Sequence, residues 1–387
     1  MSDALRSKQP FLMGLSLASA RQSALATTDA LYKLCGHNTG NLAFHHAIDS
    51  HLGGLPSRPW SDTVAALDQA GDVGVLAAAN QLGPHTDYGR LAGKFAELKV
   101  PMVVIGLGAQ GSTKDELPVV PDGSLAWVRA LADHAPASGP NIAVRGAFTL
   151  RLLEHHGLAD RAIILGCPSL FINPDPALGR TIAENRREPK RIAVTAGHQG
   201  WLHLRKLEAS LANLVTESHG AYIGQSALEM IRLTRGEADA LSEAELTACR
   251  DYVAPEMTLP DFATWSRRHG QVFFDIQSWM EFYRHFDFVV GVRIHGVMLA
   301  LQAGVPALCI AHDSRTLELC QTMRVPHVRA TDVRAGIRAD QLLELSEFDP
   351  VAFDTNRRLL ARRYVDFLVG NGLSPVNWLA ALGSSPG

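Results

Sequence analysis

Cysteine is sparse and unpatterned in this chain. Cys35, Cys167, Cys249, Cys309 and Cys320 are odd in number, scattered over 387 residues and never in Cys-x-x-Cys spacing. That speaks against a disulfide framework and a structural zinc site. A surplus of one charge is missing too: 36 Lys and Arg against 39 Asp and Glu leave a formal charge of -3. Without a basic stripe to neutralise phosphates, nucleic acid is not the expected partner. No apolar run approaches the roughly 20 residues of a membrane span. The leading "MSDALRSKQPFLMGLSLASARQS" holds only a brief apolar patch behind a polar lead, a poor secretion signal, so the protein is expected to be cytoplasmic with reduced thiols. Internal repeats and low-complexity tracts are also lacking.

What is present is core. An apolar content of 47% with 19% charge describes a globular chain, and 387 residues exceed what one core usually holds. Short apolar runs recur, each followed by a longer helix-like stretch: "VGVLAAA", "VPMVVIGLG", "NIAVRG" and "AIILGCPSLF", then "RIAVTAG", "AYIGQ", "QVFFDI", "DFVVGVRI" and "PALCIAH". Nearly continuous hydrophobicity is what a strand covered on both faces requires, so the fold class is α/β with parallel sheets. The pattern comes in two sets separated by "NPDPALGRTIAENRREPK", residues 173–190, rich in Pro and charge and without apolar periodicity. The expected domains are an N-terminal α/β unit over 1–180 and a C-terminal one over 190–345, two Rossmann-like domains facing a cleft. A helix and tail follow over 346–387. Residues 226–270 read as a mostly helical insertion beside the second sheet.

Residues 289–316, "VVGVRIHGVMLALQAGVPALCIAHDSRT", place Arg293, His295 and Gly296 where one apolar run stops and another begins. Residues 288–292 read as a strand, Gly296 opens a helix to about Ala303, and residues 307–311 read as the next strand. Ligands of open α/β sheets bind at the carboxyl ends of strands, beside helix N-termini whose free N-H groups suit phosphate or carboxylate. Gly296 is expected to let a ligand approach the backbone. Arg293 offers a permanent, two-pronged donor for such anions, and His295 exchanges protons near neutral pH. The second strand ends in His312, Asp313 and Arg315, on the same edge if the strands are neighbours. The competing reading is an Arg293 to Asp313 salt bridge around a satisfied, buried His295.

This region resembles the signature of the polysaccharide pyruvyl transferase family, in which an Arg-x-His-Gly strand end is followed by a Gly-Val-Pro turn and an Asp. The likeness extends to "NTGNLAFHHAI" at 38–48, to "VPMVVIGLGAQG", and to "IAVRGAFTLRLLEHHG" with its "ILGCPSLF" turn. It implies a two-domain GT-B-like fold and transfer of a pyruvyl group from phosphoenolpyruvate to a sugar, commonly as a cyclic ketal, with release of phosphate. Phosphoenolpyruvate would be co-substrate, with no cofactor and no metal. The acceptor would be a saccharide of a polysaccharide or its lipid-linked precursor, met by peripheral membrane contact. Arg293 and His295 carry over as donor-site residues. The chemistry needs a proton at the methylene carbon, and His295 is expected to give it as an imidazolium favoured by adjacent anions. Asp313 would either orient it or accept a hydroxyl proton. The rival is a nucleotide-sugar glycosyltransferase of the same shape, whose helix start would hold a diphosphate.

In the first domain, Asn38, Gly40 and Asn41 form a loop before an apolar helix, suited either to capping it or to holding phosphate or sugar hydroxyls. Arg145 ends a strand and either contacts the donor or pairs with an acid. "GLGAQG", residues 106–111, matches a dinucleotide fingerprint, but Pro118 and Pro121 interrupt the helix that the motif requires. It is read as a glycine loop with Gln110 reaching into the cleft. His198 is a candidate cleft residue, and Trp201 is either a sugar platform or core. Cys167 is read as packing. The adjacent His45 and His46 point to different sides of a helix and do not suggest a metal.

Overall fold

The structure, a computed structural model, describes residues 9–17, 23–111 and 116–384. Its first half is a six-stranded parallel sheet in the order β2-β1-β3-β4-β5-β6. These are β1 (Pro10–Met13), β2 (Ser57–Arg58), β3 (Val73–Ala77), β4 (Met102–Leu107), β5 (Ile142–Val144) and β6 (Ala162–Ile164). The second half repeats the plan in the order β12-β11-β10-β7-β8-β9. It contains β7 (Ile192–Thr195), β8 (Ala221–Ile223), β9 (Gly270–Gln271), β10 (Phe288–Gly291), β11 (Ala307–Ala311) and β12 (His327–Arg329). Every pairing in both sheets is parallel. Two Rossmann-like domains thus face one cleft, the GT-B-like arrangement.

The strands form where the sequence is apolar on both sides of the pleat. Every residue of β3, β4, β7, β10 and β11 is buried, which requires helices on both faces. One apolar core joins the halves, drawing Val103 from the first sheet, Val289 from the second, and Phe44, Met298 and Phe367 from helices between and around them.

The stretch 173–190 is not structureless. Leu178–Glu184 forms a helix whose Leu178 and Ile182 are buried against the long helix Pro350–Gly370. That long helix also reaches back to the first half: fully buried Arg357 donates to the carbonyls of Leu170, Asn173 and Asp175. The insertion is helical, with helices at Leu228–Thr234, Glu243–Val253 and Leu259–His269. Among the described residues no helix is long and apolar enough to cross a membrane.

Candidate active site

At the end of β10 the chain turns into the helix Ile294–Gln302, with Arg293 at its N-cap. Gly291 permits the turn, because a Cβ there would collide with the carbonyl oxygen of Thr195 in β7. Arg293 is fixed on three sides. Its amide donates to Thr195 Oγ1 at 3.3 Å, its Nη2 donates to Ser226 Oγ, and its guanidinium carbon lies 4.4 Å from the Trp201 ring centre. Its Nε is buried without a partner among the described residues. Two residues on, His295 packs against Phe44 and places Nε2 3.6 Å from Cys167 Sγ.

The first half meets this edge through the loop before the helix Asn41–His51. Asn38 and Ser226 form an antiparallel bridge, and the amide of Thr39 donates to the Gln225 carbonyl at 2.9 Å. At Gly40 the halves pack tightly: a Cβ there would sit 3.1 Å from Gln225 Oε1 and 3.3 Å from His295 Cβ. Arg145, at the end of β5 and almost fully buried, donates through Nε to the Gly106 carbonyl at 2.8 Å. Its Nη2 has no partner among the described residues. The resulting pocket is lined by residues of both halves, including Asn38, Asn41, Asn80 and Arg145 from the first, and Gln225, Arg293, His295 and Arg315 from the second.

Its electrostatics are lopsided. Of the three guanidinium groups on the wall, only Arg315 forms an ion pair among the described residues, with Asp313 at 3.1 Å. Burial first, and then neighbouring cationic charge, pulls Arg293 down to about 10; Arg145 is likewise drawn to about 10, chiefly by burial. Burial, followed by the charges of Arg145 and Arg315, holds His295 well below the usual imidazole value. The imidazole is therefore neutral in the free pocket. The anions expected to favour its charged form are absent from the wall and have to arrive with a ligand.

Several expected residues take different positions. Asp313 makes no hydrogen bond to His295 or Arg293 among the described residues. It caps the helix Ser314–Met323 by accepting from the Thr316 amide at 2.7 Å, and its other oxygen takes Arg315. Although burial pushes its carboxyl up, Arg315, His312 and Thr316 outweigh it and hold the group at about 2. Gly296 serves packing, since a Cβ there would lie 2.6 Å from Thr195 Cγ2 and 2.7 Å from Gln225 Nε2. Gln110 turns to Asn80, accepting from its Nδ2 at 2.6 Å, so it orients a wall residue. Asn41 donates to the Cys35 and Gly36 carbonyls, and Asn38 accepts from the Gly40 amide, so both brace their own loop at the pocket's edge. His198 accepts from the Gly200 amide and packs its ring on Trp201. Trp201 is covered by Arg293 and by His312, whose ring centre lies 4.2 Å away, which leaves it a wall. Cys167 is buried and accepts from Ser169 Oγ at 3.1 Å. His45 and His46 diverge, His45 to the Asn41 carbonyl and His46 to Gln277.

Sequence reading passed over Asn80, Gln225, Ser226 and Glu208. The first two carried a usable signal, each a polar residue just past a strand, in "VLAAAN" and "AYIGQ". Glu208 gave none, because it acts from inside a helix. Fully buried, it accepts from the Gly197 amide at 2.9 Å and from the hydroxyls of Tyr222 and Tyr252, which anchors the start of the loop carrying Trp201.

No curated protein matches the chain in sequence. Similar solved structures include S. aureus MnaA with UDP, at 10% identity and a TM-score of 0.43 over 93% of this chain and 98% of that one. UDP-GlcNAc 2-epimerase from Methanocaldococcus jannaschii gives 9%, 0.42, 93% and 99%, and UGT73P12 from Glycyrrhiza uralensis gives 12%, 0.37, 97% and 90%. Likenesses this distant add nothing to the topology described above. A family model does more: that of polysaccharide pyruvyl transferase matches residues 38–314. The match covers more than half of the chain and runs from the Asn38 loop through the Arg-x-His-Gly strand end to the Asp313 cap, so the chain belongs to the polysaccharide pyruvyl transferase family.

Proposed function

We propose that the protein transfers a pyruvyl group from phosphoenolpyruvate to a sugar of a polysaccharide or its lipid-linked precursor, forming a ketal and releasing phosphate. The observation that carries this reading is the uncompensated charge of the pocket. Among the described residues, Arg145 and Arg293 each keep a buried nitrogen unpartnered, Gln225 Nε2 does the same, and only Arg315 of the three guanidinium groups pairs with an acid. Buried donors left unmade are costly, so such a wall fits a ligand carrying several negative charges close together. Phosphoenolpyruvate has a carboxylate and a phosphate on adjacent atoms.

The chemistry then follows from the geometry. Arg293, at the start of the helix Ile294–Gln302, and Arg145, across the cleft, grip the two anionic groups. Their arrival replaces the cationic surroundings of His295 with anionic ones and raises its proton affinity. The imidazolium gives its proton to the methylene carbon, a sugar hydroxyl bonds to the central carbon, and the C-O bond to phosphate breaks. A second hydroxyl closes the ketal. Of the two hydroxyl protons, one restores His295 and the other leaves on phosphate. Asp313 takes no proton in this scheme; it holds Arg315 and the helix it caps.

Thermal shift with phosphoenolpyruvate, UDP-sugars and GDP-sugars tests the donor, since a ligand at 100 times its dissociation constant stabilises by about 2.7 kcal/mol. Stabilisation by phosphoenolpyruvate is expected. A response to nucleotide sugars alone would replace the reading with a glycosyltransferase. Mass spectrometry of saccharides incubated with phosphoenolpyruvate then identifies the product.

A further inference from the structure

Outside the donor pocket, one cavity of the second half lies on the same sheet edge as that pocket and carries polar groups without partners among the described residues. It measures about 340 Å³ and is lined by His203, Leu204, Leu207, His312, Thr331 and Arg334 among others. That volume lies at the lower end of the range for small-molecule sites, about 300–1,000 Å³. His312 follows β11 and Thr331 follows β12, so the cavity opens on the sheet edge that also carries Arg293. Trp201 separates the two sites. His312 and Arg293 both touch its indole, at 4.2 Å and 4.4 Å, which puts them less than about 9 Å apart.

The lining is chemically unfinished. His312 Nε2 is buried without a partner among the described residues. Arg334 is exposed and makes no hydrogen bond or ion pair among the described residues. His203, also exposed, makes no hydrogen bond or ion pair among the described residues. Two acids lie nearby: Asp313, which follows His312 in the chain, pairs with Arg315, and Asp332 accepts from Thr331 at 2.9 Å; neither is part of the lining. Two imidazoles and a guanidinium over a floor of Leu204 and Leu207 suit a phosphate ester with a sugar ring attached.

We infer that this cavity is the phosphate subsite of the acceptor: it holds the phosphate ester of a phosphorylated saccharide, leaving the attached sugar beside Trp201 and its hydroxyls toward the donor. The inference rests on the function proposed above, and it narrows the acceptor to saccharides carried on a phosphate. Either a nucleotide or a lipid carrier would present that group.

Calorimetric titration of the whole protein with glucose and glucose 1-phosphate, and separately with phosphoenolpyruvate, tests it. Glucose 1-phosphate is expected to bind at least about tenfold tighter than glucose, and Arg334→Ala to remove most of that difference while leaving phosphoenolpyruvate affinity unchanged. His312→Asn should weaken glucose 1-phosphate in the same direction. UDP-glucose and an isoprenyl diphosphate-linked glucose distinguish the carriers, and Arg334-dependent binding of either supports the subsite. Equal affinity for glucose and its phosphate, or a preference that survives Arg334→Ala, overturns it. Failure of phosphoenolpyruvate to bind, with Arg334-dependent binding of glucose 1-phosphate intact, would remove the donor reading alone.

Discussion

A histidine kept neutral by its surroundings becomes useful only if the substrate reverses those surroundings. His295 is held low by burial and by Arg145 and Arg315, so an anionic donor should raise its affinity for a proton, and binding should draw one from solvent. Because the free pKa is depressed and the bound one raised, donor affinity should fall as pH rises between the two. Titration in buffers of different ionisation heat should show proton uptake by the native protein above that of His295→Gln. The variant should keep donor affinity within a few-fold while turnover drops by roughly 100-fold or more. Equal uptake in both proteins would take the proton away from His295. Arg293 and His295 were legible in the sequence because a polar pair interrupts a fully apolar run, something burial alone does not produce. The charge state of His295 was not, since Arg145 lies 150 residues away in the chain.

At the scale of elements, one place in the chain can serve two uses. Asp313 follows a strand, where a catalytic side chain would sit, and that place is also the N-cap of the next helix, which is the geometry found. Asparagine caps as well as aspartate. Asp313→Asn should therefore keep stability within about 1 kcal/mol and turnover within about tenfold; a loss of 100-fold or more would return a proton-transfer role to this carboxylate. Strands were read where burial on both faces made them apolar throughout. β2 and β12 escaped because they are short edge strands of partly exposed residues, and β1 because its apolar patch resembled a leader. "QVFFDI" misled in the opposite sense, since only Gly270–Gln271 pairs and Ile276 already starts a helix. The helix Asn41–His51 carries a pH dependence of its own. Burial drives His45 to about 4 and His51 to about 3, against 6.5 unperturbed. Above pH 6.5 neither state binds these protons and stability is full. As pH falls toward 4 the unfolded chain takes them up first, costing roughly 3 kcal/mol per pH unit for the pair. Denaturant melts between pH 7 and pH 5 should show at least that slope, and His51→Phe should lower it by about 1.4 kcal/mol per pH unit. A flat profile would mean that these histidines are not desolvated.

For the whole molecule, the proposed reaction needs the two halves to meet at Gly40 and His295, and contacts far from the site also join them. The crossover after Phe171 carries the chain from one sheet to the other. It exposes carbonyls that no strand or long helix satisfies, and Arg357 of the C-terminal helix supplies donors to those of Leu170, Asn173 and Asp175. Sequence reading treated that helix as a tail, because its periodicity revealed an apolar face but not the face's partner, which lies in the other half and in the crossover. Removing this buried guanidinium leaves the buried Leu170 carbonyl without its donor, at about 1–3 kcal/mol, and releases the partly buried carbonyls of Asn173 and Asp175. Arg357→Met, which keeps most of the side-chain volume, should accordingly cost at least about 1 kcal/mol in denaturant unfolding. It should also admit proteases to residues 173–190 and weaken phosphoenolpyruvate binding, although no atom of Arg357 lines the pocket. Loss of stability with donor binding and protease resistance unchanged would mean that the crossover holds the two halves in register without this helix.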